Sequence, residues 1–352
     1  MEWVALAVLL IVAGYLLPKI PRKLRELLAR DRFDVAELSQ RLDVPEAELR
    51  SFEPRYRRHD IGKRGVNYRV SPVGKRRLHI PDDETKALQR KILRRLLRKL
   101  KVHRCATAFE PGCSVAENAA AHAYQAVVIK LDIVGFFDHT SAARVQAYFR
   151  AIGWTKEAAE LLTSLTTHEG CLPQGAPTSP ALSNRLNLRL DEAIWREVRW
   201  RGGTYTRYAD DLTISFPYDR YNRRRGLAAI LTAVPRIVSR YGYTLHRDRK
   251  RKVLRRQCSQ RVTGLVVNDG VRLPRETRRW LRAVQHRMDT GGEPTLRPEE
   301  LAGWRAYQAH VDAVRARTEA EERARLDRRE GWLRHEPVRR RRARALGIPD
   351  DE

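Results

Sequence analysis

Two adjacent carboxylates, Asp210 and Asp211, stand in the stretch Tyr208-Ala209-Asp210-Asp211, between the β-prone runs 202–207 (GGTYTR) and 212–216 (LTISF). Runs rich in Thr, Tyr and Ile around so short a link predict a hairpin with the acidic pair at its turn. Neighbouring carboxylates repel one another unless a cation lies between them, which makes the pair a candidate metal ligand; ordinary turn chemistry is the plainer alternative. A third acid is placed in a comparable way. The run 125–137 (QAVVIKLDIVGFF) is apolar with Asp132 late in it, the pattern of a buried strand that delivers one carboxylate to a surface. Such a strand has little use for a charge that nothing pairs with. Between the two acidic sites lies 172–180 (LPQGAPTSP), a Gly- and Pro-dense loop that opens a helix over 181–200.

The elements around these acids carry a large positive charge. Seventy Lys and Arg against 43 Asp and Glu give a formal net charge of +27 over 352 residues, a field that gathers a polyanion and makes nucleic acid the leading partner class. Cys105, Cys113, Cys171 and Cys258 show neither C-x-x-C spacing nor a nearby His pair, so they read as reduced thiols rather than a zinc site or disulfide framework. Residues 3–17 (WVALAVLLIVAGYLL) are uncharged, closed by Pro18 and followed by basic residues. As a helix this run spans about 22 Å, short against a hydrocarbon core of roughly 30 Å. Two readings stand: a tether to the inner membrane that leaves the bulk in the cytoplasm, or a helix docked on protein. Segment 34–50 has the rhythm of a small helix-turn-helix started by Asp34 and Pro45, strands are expected at 68–70 and 77–80, and a basic helix at 84–101. Residues 261–267 (RVTGLVV) read as a further strand, and beyond Pro274 the chain becomes helical and very basic.

An acid ending a buried strand, a Gln-Gly-x-Pro-x-Ser-Pro loop opening a helix and a Tyr-x-Asp-Asp hairpin, in this order, resemble the three central motifs of reverse transcriptases. Asn118-Ala119-Ala120-Ala121-His122 fits the Asn-Ala-x-x-His signature of the retron branch of that family, and Val262-Thr263-Gly264 its Val-Thr-Gly signature. With the segments RRLHIP, ALQRKIL and LAGWRAYQAHVD the resemblance covers roughly residues 35 to 315; the apolar N-terminus and basic C-terminus fall outside it.

The resemblance implies an α+β right-hand polymerase with fingers, a palm of antiparallel sheet plus helices, and a helical thumb. The corresponding division is an apolar helix at 1–20, a helical region at 21–67, fingers and palm at 68–273, and a basic thumb and tail at 274–352. It implies two Mg²⁺ ions, with Mn²⁺ as an alternative, on Asp132, Asp210, Asp211 and the Ile133 carbonyl. By the same resemblance Phe137 is expected to close on the sugar 2′ position, Gln174 and Gly175 to lie beside nucleotide and template, and Ala209 to touch the primer end. Arg76 or Arg77, and Arg249 or Lys250, grip the triphosphate of the dNTP. Asn118, His122, Val262, Thr263, Gly264, Arg275, Arg278 and Arg279 are candidates for holding RNA. The implied partners are a structured non-coding RNA, its branched 2′-linked cDNA and an effector protein, in anti-phage defence. A group II intron-type or other bacterial reverse transcriptase, and a catalytically idle RNA-binding scaffold, are the alternatives.

Overall fold

The computed structural model describes residues 31–64, 70–218, 226–246, 251–293 and 295–345. Two short helices come first, α1 (Val35–Leu42) and α2 (Glu46–Ser51), at the start signals the sequence carries. Asp34 accepts a hydrogen bond from the Glu37 N–H, satisfying one of the free donors of the first turn. Strands β1 (Tyr56–Arg64) and β2 (Val70–Pro81) then pair antiparallel, a longer hairpin than the short strands expected. Helix α3 (Asp83–Arg95) ends before the expected 101: a 3₁₀ turn at Leu97–Lys99 tightens the chain, and Leu96 and Leu97 are both buried.

Helix α4 (Val115–Ala120) precedes β3 (Val127–Asp132), and α5 (Ala142–Ala151) and α6 (Lys156–Thr166) follow it. The helix expected over 181–200 is two, α7 (Ser179–Leu186) and α8 (Leu188–Trp200). Asn187 causes the break: its side-chain amide donates to the Ser183 carbonyl and the Tyr243 hydroxyl, drawing the backbone out of helical geometry. Next come β4 (Thr204–Tyr208), β5 (Asp211–Phe216), α9 (Gly226–Arg240) and β6 (Lys252–Arg255). The strand expected over 261–267 is a small hairpin, β7 (Arg261–Val262) and β8 (Leu265–Val266), because Thr263 and Gly264 both take left-handed φ, 45° and 87°, as a type I′ turn requires. Helices α10 (Arg275–Asp289) and α11 (Pro298–Ala345) complete the described chain.

The fold is α+β with an antiparallel sheet, and the chain divides into two compact units. The first comprises Met1–Phe109, Ile133–Ala193 and Ile237–Thr244. Its core gathers Leu38, Leu42, Ile92, Phe149 and Leu162 from α1, α3, α5 and α6, with Trp154 from the link between the last two. The second comprises Glu110–Asp132, Ile194–Arg236 and Leu245–Glu352 and contains a four-stranded sheet in the order β4-β5-β3-β6. Val262, Leu265, Leu281, Val284 and Val311 pack α10, α11 and the small hairpin into its core.

Gly203 leads into β4. A Cβ there would lie 2.6 Å from Phe216 Cε1 and 2.8 Å from Val198 Cγ1, two buried side chains that cannot swing into solvent. Gly203→Ala is therefore expected to cost about 1–3 kcal/mol, read as a lowered urea midpoint.

The expected membrane tether is corrected. Among the described residues no helix is long and apolar enough to cross a membrane, and the run 3–17 lies outside the described residues.

Candidate active site

Strand pairing in the second unit brings two of the three aspartates together. Asp132 and Asp211 are direct cross-strand partners, and Tyr208 pairs with Asp211 from the other side. Directly opposed residues of an antiparallel pair share a face, with Cβ atoms about 4.5–5.5 Å apart. The hairpin turns on only two residues, Ala209 and Asp210, so the third acid is the neighbour of Asp211 in the chain, at the tip. Ala209 has φ 56°, the left-handed value demanded at the first position of a tight primed turn and usually met by Gly.

Two residues that the sequence did not single out hold this arrangement. Arg207 is fully buried and donates from Nη1 to the Ala209 carbonyl at 3.2 Å, propping the turn from within. His246 donates its backbone N–H to the Asp132 carbonyl at 2.9 Å, and its Nε2 lies 3.3 Å from Asp132 Oδ1. Like charges directly opposed in a sheet are destabilising. Three hard carboxylate donors on one hairpin and its neighbour strand are the chemistry that a divalent cation of the magnesium type accepts, so the residues present fit such an ion.

His122 lies just past the end of α4, on the same sheet face as the aspartates. Its Nδ1 is 2.7 Å from Ser215 Oγ on β5 and its Nε2 2.8 Å from Thr206 Oγ1 on β4, so one ring bridges the two strands of the acidic hairpin. Burial pushes its pKa down to about 3. The ring is thus neutral, donating through one nitrogen and accepting through the other. Asn118 donates to Thr263 Oγ1 at 3.5 Å, and that hydroxyl donates to the Val115 carbonyl at 2.8 Å. Asn118, His122 and Val262 are each 0 % exposed. They are interior groups of the second unit: Asn118 reaches the turn between β7 and β8, His122 the sheet, and Val262 the core. Gly264 at the turn, and Arg275, Arg278 and Arg279 on α10, are exposed, and Thr263 is half-buried.

In the first unit, Phe137 is half-buried against the core and meets Phe136 edge-on at 5.4 Å, and Ile133 is buried. Thr140, Asn187 and Tyr243 form a buried polar knot beside Phe136: the Tyr243 hydroxyl is 2.7 Å from Thr140 Oγ1 and accepts from Asn187 Nδ2 at 3.0 Å. The Gln174 carbonyl accepts from the His79 N–H at 2.8 Å, tying the Gly-rich loop to β2. Gly175, at φ 116°, comes so close that a Cβ would lie 3.1 Å from the His79 carbonyl oxygen. Arg76 and Arg77 sit on β2 opposite Ile61 and Asp60. Arg249 and Lys250 lie outside the described residues.

Residues 61–279 match the family described as reverse transcriptase (RNA-dependent DNA polymerase). The retron Ec86 reverse transcriptase of Escherichia coli is 30% identical over 262 residues, which cover 74% of this chain and 77% of that protein. The chain belongs to the retron reverse transcriptases. The retron Mx162 and Mx65 reverse transcriptases of Myxococcus xanthus are 36% and 40% identical, over 69% of this chain in each case. The chain spans 56% and 57% of the length of those two relatives. Among solved structures, a telomerase from Candida albicans aligns at a TM-score of 0.45 and 11% identity, over 68% of this chain and 48% of its own.

Proposed function

We propose that this retron-family chain is an RNA-directed DNA polymerase that copies its own structured non-coding RNA into branched, 2′-linked DNA, working with an effector protein in anti-phage defence. The observation that carries the reading is the cross-strand pairing of Asp132 with Asp211 beside Asp210 at the hairpin tip. Asp132, Asp210 and Asp211, with the Ile133 carbonyl, would hold two Mg²⁺ ions, which when bound activate the attacking hydroxyl and stabilise the leaving pyrophosphate. Phe137 is the group proposed to exclude a ribose 2′-hydroxyl and so select deoxynucleotides. Gln174, Gly175 and Ala209 line the nucleotide, template and primer end, while Arg76 or Arg77, and Arg249 or Lys250, neutralise the triphosphate. Fingers and palm correspond to 68–273 and the thumb to 274–352. The exposed Arg275, Arg278 and Arg279 of α10 meet RNA phosphates, and Thr263 and Gly264 lie at the turn that approaches the stem, since duplex RNA offers shape, phosphates and 2′-hydroxyls.

Purified protein with Mg²⁺ and dNTPs is expected to extend a primer on an RNA template, and sequencing of its copurifying nucleic acid is expected to recover a DNA joined to RNA through a 2′ linkage. Linear cDNA alone would refute the retron reaction while leaving the polymerase; failure to extend any primer would refute both.

A further inference from the structure

A second cluster of side chains of types that can ligate a metal belongs to the first unit and shares no residue with the aspartate site. His79 comes from β2, and His168 and Glu169 from the turn between α6 and the Gly-rich loop. His168 and Cys171 exchange backbone hydrogen bonds at 2.9 and 3.1 Å, leaving Glu169 and Gly170 as the two central residues of a tight turn. Both have left-handed φ, 48° and 76°, a geometry that usually selects Asn or Gly at the position Glu169 occupies.

That turn sets the Glu169 carboxylate against both imidazoles. One oxygen is 3.9 Å from His79 Nε2 and the other 3.8 Å from His168 Nε2. All three donor atoms lie within 4.8 Å of one another. Tyr56 stacks on the His168 ring at 4.3 Å, and the two imidazole rings are 5.0 Å apart, so neither histidine is a loose surface group. These gaps are too long for hydrogen bonds. A tetrahedral ion with bonds of about 2.0–2.1 Å draws its ligands to roughly 3.4 Å from one another; rotation of the exposed Glu169 stem brings its carboxylate to that range, and small ring rotations of His79 and His168 bring in their nitrogens.

We infer that His79, His168 and Glu169 form a transition-metal site that takes Zn²⁺, with solvent in the fourth position. Two imidazoles and one carboxylate are a borderline donor set that favours zinc, whereas magnesium prefers octahedral oxygen. The site fastens β2 to the turn that leads into Gln174 and Gly175, beside the existing bond from the His79 N–H to the Gln174 carbonyl.

The test uses the full chain, stripped of metal with a chelator and titrated with Zn²⁺ against a colorimetric competitor in the presence of millimolar Mg²⁺. One Zn²⁺ per chain is expected, with affinity weakened about tenfold or more in both Glu169→Gln and His168→Ala. The thermal midpoint of the wild type is expected to rise with Zn²⁺, and that of Glu169→Gln to rise less at the same Zn²⁺ concentration. Glu169 is exposed, so its Gln variant keeps the fold and carries the test if His168→Ala does not fold. Equal binding by wild type and Glu169→Gln, or displacement of the ion by Mg²⁺, overturns the assignment. None of these readouts depends on polymerase activity.

Discussion

Replacing Asp132 by Asn is expected to lower primer extension by about 10³-fold or more while leaving the protein, free of divalent ions, as stable as the wild type or slightly more so. The two effects have one origin. Asp132 faces Asp211 directly across the sheet, and its side chain is only 13 % exposed, so solvent screens the repulsion poorly. Removing one of two opposed like charges relieves their repulsion, while the Asn amide oxygen keeps an acceptor facing His246 Nε2. The same change removes a ligand oxygen from the proposed ion site, so added Mg²⁺ raises the melting temperature of the wild type and not of the variant. Melting curves with and without Mg²⁺, run beside primer extension, separate this from general damage. Retained extension would sink the metal assignment, and a variant that melts well below the wild type would show that Asp132 has a structural use instead.

Acid is expected to destabilise this fold through His122. Its folded pKa of about 3 is below the ordinary value of 6.5, so from pH 6.5 down to about 3 the unfolded chain binds a proton that the native state refuses. Stability contributed by the neutral ring is complete above pH 6.5 and is lost as pH falls through that window, by about 1.4 kcal/mol per pH unit. Replacement by Asn removes the titration and leaves Ser215 or Thr206 without its partner, a cost of about 1–3 kcal/mol at neutral pH. Urea midpoints of both proteins at pH 7 and pH 5 provide the check. The advantage of the wild type should shrink by about 2 kcal/mol between them; an unchanged gap would mean that the ring is not the acid-sensitive group.

Local signals were readable along the chain, and contacts between distant segments were not. Asp34 and Pro45 marked helix starts because caps depend on neighbouring residues. The hairpin at 208–211 was visible because its two strands and two-residue link adjoin in sequence. Asn118 and His122 stand four apart in one signature, but α4 ends at Ala120, so the two side chains reach different partners. The run 261–267 read as a strand because Val and Thr favour one, whereas Thr263 takes left-handed φ and bonds to the Val115 carbonyl, 148 residues earlier. His246 shows no motif of its own; only the closed sheet brings it to Asp132.

The two-residue link between Tyr208 and Asp211 makes the acidic tip sensitive to length more than to composition. Side chains alternate faces along a strand, so one inserted or deleted residue would turn Asp211 to the opposite surface and put Leu212 or Asp210 in its row. Gly or Asn at Ala209, which accept its left-handed φ, are therefore expected among working variants, and single-codon insertions there are not.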